Sequence, residues 1–183
     1  MDFGQKGPIL AAMTSQEIVT ALLDRFGQKI VAAFVGDKHP RIHVEAPDAR
    51  EVLEFLRHDP ALKFDWLRCL TGLDYVAEGK MAVAYDLYSF DHRHTFAVKA
   101  YCPRDNPHLP SVADLWSIAD WHEREAFDMF GIVFDGHPDL RRILCADDWV
   151  GYPLRKDYVF PREYHGIPGS VELDWQQKPD YPR

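Results

Sequence analysis

The residues best suited to chemistry in this sequence are the carboxylates of Glu123-Arg124-Glu125 and of Asp128. Carboxylates this close together could serve as a general acid and a general base. The alternative is that they form ion pairs with Arg124 and with arginines later in the chain. Arg124 and Asp128 stand four residues apart, a spacing that allows a pair across one helical turn. We favour the structural role and keep a stand-alone acid/base enzyme as an alternative.

Two histidine patterns raise the question of a metal site. His122-Glu123 begins a zinc-protease pattern, but the position four residues after His122 is Ala126 rather than a second histidine. His92 and His94 stand two apart in a polar link, a spacing that could bind a metal, yet the sequence offers no third ligand. We interpret these two histidines as part of a solvated turn, and we expect no metal ligands.

The cysteines and the overall composition disfavour several kinds of functional site. The three cysteines, Cys69, Cys102 and Cys145, form no CxxC pair, so an iron–sulfur or zinc framework is not expected. Cys145 has no adjacent histidine to activate it, and no phosphate-binding loop occurs. The formal net charge of −8 disfavours nucleic-acid binding. No apolar run approaches the roughly 18 residues of a membrane-spanning helix. We therefore expect no catalytic and no cofactor-binding residues, and membrane contact only through a partner.

Two helices and about five strands are predicted to precede these charged residues. Thr14 and Glu17 form a capping-box pattern at the start of the first helix, and the second helix begins at Pro47. Apolar alternation predicts strands over residues 30–35, 41–46, 64–70, 81–90 and 95–102, the last two as an antiparallel hairpin. The predicted fold class is α+β: a small mixed β-sheet with helices on one face, followed by an extended irregular C-terminal arm.

The sequence divides into four predicted parts. These are a lead-in (1–13), the α+β domain (14–103), a linker with a third helix that packs on the domain (104–136), and an extended partner-binding arm (137–183). Within the linker, Ser111 is predicted to cap a short helix, Val112–Trp116. Gly131 is predicted to end the third helix in a left-handed conformation.

The arm is rich in cationic and aromatic side chains, which is typical of a surface that binds another protein. Arginine makes forked hydrogen bonds to carboxylates, and tryptophan and tyrosine are enriched at the centres of interfaces. The candidate interface residues are Arg141, Arg142, Leu144, Trp149, Tyr152, Arg155, Lys156, Tyr158 and Phe160. The alternative is that this segment folds back over its own sheet, and we expect both to be partly true.

The order of residues from 123 to 144 resembles the signature of the C subunit of NADH–quinone oxidoreductase, respiratory complex I. The matching positions are Glu123-Arg124-Glu125, Asp128-Met129-Phe130, His137, Arg141 and Ile143-Leu144. The structural signature comprises Glu123, Arg124, Glu125, Asp128, Gly131, His137 and Pro138. The later run from Gly151 to Tyr158 is also similar to that family.

This resemblance implies a subunit that carries no redox centre. Such a subunit lies in the hydrophilic arm of the complex, on the cytoplasmic side of the bacterial inner membrane, and packs against the large subunit that helps to form the quinone site. Flavin mononucleotide, iron–sulfur clusters and quinone then belong to other subunits. The absence of a transit-peptide pattern favours a bacterial form over an organellar one. Further alternatives are the equivalent subunit of a membrane-bound hydrogenase or of an oxidoreductase with another electron donor, and an unrelated adaptor.

Overall fold

The computed structural model describes residues 12–161 and 163–168. Residues 1–11 of the predicted lead-in, and Arg162 and residues 169–183 of the predicted arm, lie outside the described residues. The helices are α1 (Ser15–Phe26), α2 (Ala46–His58) and α3 (Ala119–Phe130). The strands are β1 (Ile30–Phe34), β2 (Arg41–Glu45), β3 (Trp66–Tyr75), β4 (Lys80–Tyr88), β5 (Thr95–Pro103), β6 (His108–Pro110), β7 (Val133–Asp135), β8 (Glu163–Tyr164) and β9 (Ile167–Pro168).

The first five strands form one mixed sheet in the order β1-β2-β5-β4-β3. β2 and β5 run parallel, whereas the other neighbouring pairs are antiparallel. The predicted hairpin of β4 and β5 is confirmed, with Tyr88 opposite Thr95. The capping box is confirmed as well, because Glu17 N donates to Thr14 Oγ1 at 3.3 Å and Thr14 N donates to Glu17 Oε2 at 2.7 Å.

One face of the sheet is buried beneath the helices. Val83 and Tyr85 of β4 and Val98 of β5 are inaccessible to solvent, and they share one core cluster with Leu22 of α1 and Leu53 of α2. Each such aliphatic or aromatic side chain stabilises the fold by about 1.5–3 kcal/mol when it leaves water. The predicted fold class, a mixed sheet with helices on one face, is confirmed. In the described part of the chain, no helix is both long and apolar enough to cross a membrane.

The same core continues into the segment between β5 and the arm. The cluster that contains the sheet residues also includes Leu109 of β6, Phe134 of β7 and Trp116 from the turn between them. β6 and β7 pair in parallel, and the sequence does not reveal them because three residues are too few to show an alternation. Phe130 of α3 packs so closely on β3 that a Cβ at Gly72 would lie 2.6 Å from its ring. α3 is therefore fixed to the sheet before the arm begins.

Two predicted elements have the wrong form or position. The predicted helix Val112–Trp116 is a turn, in which the Trp116 amide bonds to the Val112 carbonyl. The indole of Trp116 is drawn inward, where its Nε1 donates to Phe64 O at 3.1 Å. The predicted strand 64–70 instead runs from Trp66 to Tyr75, because its pairing with β4 continues as far as Tyr75 opposite Lys80.

The interpretation of His92 and His94 as a solvated turn is also wrong. The two residues are only 5% and 6% exposed. His92 Nε2 lies 2.9 Å from Pro60 O, and His94 Nε2 lies 2.7 Å from Leu62 O. Both rings therefore tie the β4–β5 turn to the segment that follows α2, a contact between residues 32 positions apart that local spacing does not reveal.

Candidate partner interface

α3 places its two buried carboxylates on different sides of the helix. Glu123 and Asp128 are five residues apart, which corresponds to about 140° around an α-helix. Both side chains are inaccessible to solvent, whereas Glu125 is exposed. Glu123 contacts the turn before α3, and Asp128 contacts the arm. The three carboxylates therefore do not converge on one point, as an acid/base pair would require.

Glu123 joins α3 to the turn after β6. Ser111 Oγ donates to Glu123 Oε2 at 2.6 Å, and Val112 N donates to Oε1 at 2.7 Å. Burial raises the pKa of Glu123 to about 7, against the lowering effect of these two hydrogen bonds. The buried ring of His137 places its Nε2 3.2 Å from Asp120 Oδ1 and 3.9 Å from Glu123 Oε2. His137, at the start of the arm, therefore contacts α3 beside Glu123.

Asp128 is the main attachment point of the arm. Its Oδ2 accepts hydrogen bonds from the backbone N–H groups of Ile143, Leu144 and Cys145 at 3.0, 2.7 and 2.8 Å. Its Oδ1 accepts a hydrogen bond from Arg142 Nη1 at 2.6 Å. Burial would raise the pKa of Asp128, but these donors outweigh it and hold the pKa below its ordinary value. One buried carboxylate therefore fixes four consecutive residues of the arm.

The predicted pair between Arg124 and Asp128 is wrong, because Arg142 is the partner of Asp128. The Arg124 guanidinium instead lies over the ring of Trp121, 5.2 Å from its centroid, and its Nε donates to Arg141 O at 3.4 Å. The rule for residues four apart describes an isolated helix surface. It does not include donors that arrive when a later segment folds back over that surface.

A second attachment lies at the end of α3. Gly131 is left-handed, with φ 73°, which confirms the predicted cap. A Cβ at Gly131 would lie 2.4 Å from Tyr152 Cε2, so the arm passes directly over this glycine. Arg155 Nε donates to Phe130 O at 2.7 Å, and the guanidinium of Arg155 lies 4.6 Å from the centroid of the Tyr152 ring.

A third attachment involves Asp74 at the end of β3, which sequence reasoning missed. Arg104 Nε donates to Asp74 Oδ1 at 2.7 Å, and the backbone N–H of Lys156 donates to Oδ2 at 2.9 Å. Arg104 Nη2 also donates to Asp157 Oδ1 at 2.6 Å. The hydrogen bond from Arg104 lowers the pKa of Asp74. The partners of Asp74 are 30 and 82 positions away, so no sequence signal marks them.

These attachments leave a set of apolar side chains facing solvent. The exposed ones are Leu144 (63%), Val150 (85%), Leu154 (50%), Val159 (84%), Phe160 (58%) and Ile167 (67%). Single exposed apolar residues are ordinary on a protein surface, but several on one segment indicate a contact with another protein. The arm is thus held on its inner side by polar bonds and presents apolar side chains on its outer side.

The nine predicted interface residues fall into two groups. Five make contacts within the chain: Arg142, Trp149, Tyr152, Arg155 and Tyr158. Four are exposed: Arg141, Leu144, Lys156 and Phe160. Three of these also have a contact within the chain: the Arg141 side chain with Asp139, the Lys156 backbone with Asp74, and the Phe160 ring with Tyr158. Their contact with a partner stays a prediction. Sequence reasoning misses Val150, Leu154 and Val159 because it ranks aromatic and cationic residues above aliphatic ones.

The residues of the structural signature differ in burial. Glu123, Arg124, Asp128 and Gly131 are buried, the His137 ring is covered, and Glu125 and Pro138 are exposed. Among residues 12–161 and 163–168, no group of three or more His, Cys, Asp or Glu side chains could hold a metal ion. The buried members of the signature therefore act as attachments between α3, its neighbours and the arm.

The family model of the respiratory-chain NADH dehydrogenase 30 Kd subunit matches residues 42–164. The chain belongs to this family. The matched range begins at the second residue of β2 and includes β3–β5, α3 and all three attachments of the arm. The resemblance inferred from the signature is therefore confirmed at the level of the family.

Relatives named as C subunits of NADH-quinone oxidoreductase are similar over most of this 30 Kd family chain. The protein of Chloroherpeton thalassium is 48% identical over 146 residues, which cover 79% of this chain and 60% of that protein. The protein of Chlorobium phaeobacteroides is 47% identical over 146 residues, which cover 79% of this chain and 88% of that protein. The chain thus spans about 60% of the length of the first relative and most of the second.

Two solved structures share the fold. A trypsin-resistant fragment of Nqo5 has a TM-score of 0.56 and 32% identity, over 69% of this chain and 99% of the fragment. A chain of the membrane-bound sulfane sulfur reductase, an archaeal respiratory membrane complex, has a TM-score of 0.67 and 25% identity, over 80% of this chain and 86% of that chain. The fold of the 30 Kd family therefore also occurs in a respiratory membrane complex of another name.

Proposed function

We propose that this chain is a non-redox structural and assembly subunit in the hydrophilic arm of a proton-pumping NADH–quinone oxidoreductase, where it packs against the quinone-site subunit. In this proposal, flavin mononucleotide, the iron–sulfur clusters and quinone are bound by other subunits, and the chain lies on the cytoplasmic side of the bacterial inner membrane. The observation that carries the proposal is the arm, which is fastened at Asp128, Gly131 and Asp74 while its apolar side chains face outward.

The fastening of the arm favours binding to a partner. A segment that is already fixed loses less conformational entropy when it binds than a free segment does. Val150 and Val159 are the strongest candidates for burial, since more than four-fifths of each residue is exposed. Burial of each one would contribute about 1.5–3 kcal/mol of hydrophobic free energy. Most of the arm's backbone course therefore need not change for the partner to cover it.

Substitution of an outward-facing residue tests the partner contact. We expect Val159→Asp to reduce co-purification of the quinone-site subunit with the tagged chain from native membranes. The interface would have to bury the new carboxylate without a counter-charge, which is costly. The matched control is Leu23→Asp, which changes another exposed apolar residue on α1, remote from the arm in sequence and 43% exposed. Unchanged co-purification of Val159→Asp, or an equal loss for both variants, would contradict the proposed interface.

The non-redox part of the proposal has a separate test. We expect the purified chain to show no flavin or iron–sulfur absorbance, no stoichiometric metal and no turnover by itself. Bound iron in the amount of one cluster per chain would contradict this part. Activity of the isolated chain would instead favour the stand-alone enzyme, although the separation of Glu123, Glu125 and Asp128 on α3 gives that enzyme no acid/base pair.

The second candidate is the equivalent subunit of an oxidoreductase with another electron donor. The similarity to the sulfane sulfur reductase chain favours this candidate, since the two structures superpose over 80% of this chain with a TM-score of 0.67. Mass spectrometry of the subunits that co-purify from native membranes distinguishes the two candidates. NADH-oxidising subunits together with the quinone-site subunit support the first candidate, and a different electron-input subunit supports the second.

A further inference from the structure

α3 carries one buried cation whose charge is not balanced by a carboxylate of the described chain. Arg124 is 6% exposed, and no other lysine or arginine is buried in the part of the chain that the structure describes. A buried charge without a counter-ion is costly, so Arg124 favours the approach of a carboxylate. The neighbouring carboxylates each lie within ion-pair distance of another basic side chain: Asp120 of His137, Glu125 of His122, Asp128 of Arg142, and Asp139 of Arg141.

Burial distinguishes Arg124 from the other cations that make no ion pair within the described residues. Lys38, Arg93 and Lys156 are exposed, so water stabilises their charges. Arg57 is half-buried and lies over the ring of Trp116, 5.8 Å from its centroid. Water reaches much less of Arg124 than of these side chains. A carboxylate therefore gains more by pairing with Arg124 than with a cation that water already surrounds.

The charged end of Arg124 still reaches the surface. Its Nε donates to Arg141 O at 3.4 Å, and its guanidinium lies 5.2 Å from the centroid of the Trp121 ring. Within the described residues its Nη nitrogens make no hydrogen bond, and they are not among the buried polar atoms that lack one. Trp121 is 58% exposed and the Arg141 side chain is 68% exposed. A carboxylate can therefore approach the guanidinium beside the Trp121 ring.

Arg124 lies on the side of α3 along which the arm runs. Trp121, Arg124 and Asp128 are three and four residues apart, so they follow one side of the helix. The arm runs along this side, because Arg141 O accepts a hydrogen bond from Arg124 and the Leu144 N–H donates to Asp128. Trp121 and Leu144 are 58% and 63% exposed. The exposed apolar surface of the arm therefore continues onto α3 at Trp121, next to the buried cation.

We propose that Arg124 and Trp121 receive an acidic side chain of another subunit, whose carboxylate pairs with the guanidinium while a neighbouring apolar residue packs on the indole. Tryptophan and arginine are the residue types that most often dominate the binding energy of an interface. The indole and the partner exclude water from the new ion pair, which strengthens it. This inference rests on the proposed function, because a multi-subunit complex supplies the permanent partner, and it adds an acid-binding position on α3 to the surface of the arm.

Substitution of Arg124 separates the proposed pairing from a purely structural role. Arg124→Met keeps an unbranched side chain beside Trp121 and removes the charge. The thermal midpoint of the isolated chain should fall far less than in Arg142→Met, which leaves the buried Asp128 without its cation. Association of Arg124→Met with the other subunits should nevertheless weaken roughly tenfold or more. Equal falls of the two midpoints, or unchanged association of Arg124→Met, would overturn the inference.

A matched control is available on α2. Arg57→Met makes the same change at another arginine that lies over an indole, that of Trp116. We expect this variant to associate with the other subunits as the wild type does. An equal loss of association in Arg57→Met and Arg124→Met would overturn the inference, because the loss would then not depend on the position beside Trp121.

A photo-activated cross-linking residue locates the partner in the complex purified from native membranes. Trp121→p-benzoylphenylalanine should link to another subunit, at a segment that contains Asp or Glu. Val31→p-benzoylphenylalanine is the control and should give no such link, because Val31 is 59% exposed but lies on β1, at the opposite edge of the sheet from β3, where α3 packs. A link from position 121 to the same chain, including residues 169–183, or to a segment without Asp or Glu, would overturn the inference. If the complex assembles normally with Arg124→Met, only this inference fails; if the wild-type chain co-purifies with no other subunit, the proposed function fails as well.

Discussion

The negative charge of Asp128 is expected to control whether the arm stays on α3. Asp128→Asn keeps the size of the side chain but replaces one acceptor oxygen with an NH2 group. Oδ2 accepts three backbone N–H groups, and Oδ1 accepts Arg142 Nη1. Either orientation of the amide therefore sets an N–H group against N–H donors and leaves the Arg142 charge without its counter-ion.

The size of the effect follows from the burial of the pair. Asp128 is inaccessible to solvent and the Arg142 side chain is 16% exposed. Removal of one partner from a buried ion pair costs about 3–5 kcal/mol. Local release of the arm would return Arg142 to water and limit the loss, so we expect the free energy of unfolding to fall by about 3 kcal/mol. The amides of residues 143–145 should lose their protection first.

Urea denaturation and amide hydrogen exchange measure the two parts of this expectation. The matched control is Asp139→Asn, which removes the charge of the exposed partner of Arg141 and should change the urea midpoint far less, because water screens an exposed ion pair. If Asp128→Asn unfolds at the wild-type urea concentration and residues 143–145 exchange as slowly as before, the assignment of Asp128 as the attachment point is refuted.

Two further outcomes are expected from the same region. Burial favours the protonated form of Glu123, so its pKa in the folded protein is about 7, above the ordinary value of 4.5. The stability that this proton contributes is therefore fully present below pH 4.5 and is lost as the pH rises through about 7. This loss of unfolding free energy is on the order of 3 kcal/mol. Urea titrations at several pH values should show that Glu123→Gln lacks this pH dependence. An equally steep pH dependence in the variant would contradict the role of Glu123. Gly131→Ala should cost more stability than Gly79→Ala, because both glycines have positive φ but only at Gly131 would a Cβ meet the arm, at Tyr152. Equal shifts of the thermal midpoint would show that the contact with Tyr152 does not matter.

Sequence reasoning succeeds where the determining residues are close together in the chain. The capping box of Thr14 and Glu17 spans one turn, and the left-handed end of α3 depends on Gly131 alone. The hairpin of β4 and β5 is indicated by two alternating runs joined by a short polar link. In each case, the physical cause lies within a few residues, so the pattern is sufficient to identify the element.

Sequence reasoning fails where a side chain is satisfied by a distant backbone group. The local context of His92 indicates a polar turn, but its ring is buried and hydrogen-bonds to the carbonyl of Pro60, 32 positions away. Asp74 lies at the end of a strand with nothing to distinguish it, and its partners Arg104 and Lys156 arrive only after the fold has formed. In the irregular arm no period relates sequence to side-chain direction, so the composition indicates a contact surface without indicating which side chains face outward.

The attachments give the signature residues a mechanical role. Glu123 holds α3 to the turn after β6, and Asp128, five residues later, holds the arm to α3. A change at Asp128 should therefore alter where the arm lies and leave the sheet intact. In the proposed complex, its effect should then appear in the amount of complex assembled, whereas the turnover of each complex that does assemble should stay near the wild-type value. A normal amount of complex with a reduced turnover would instead indicate that the charge of Asp128 acts on the chemistry of the partner subunits.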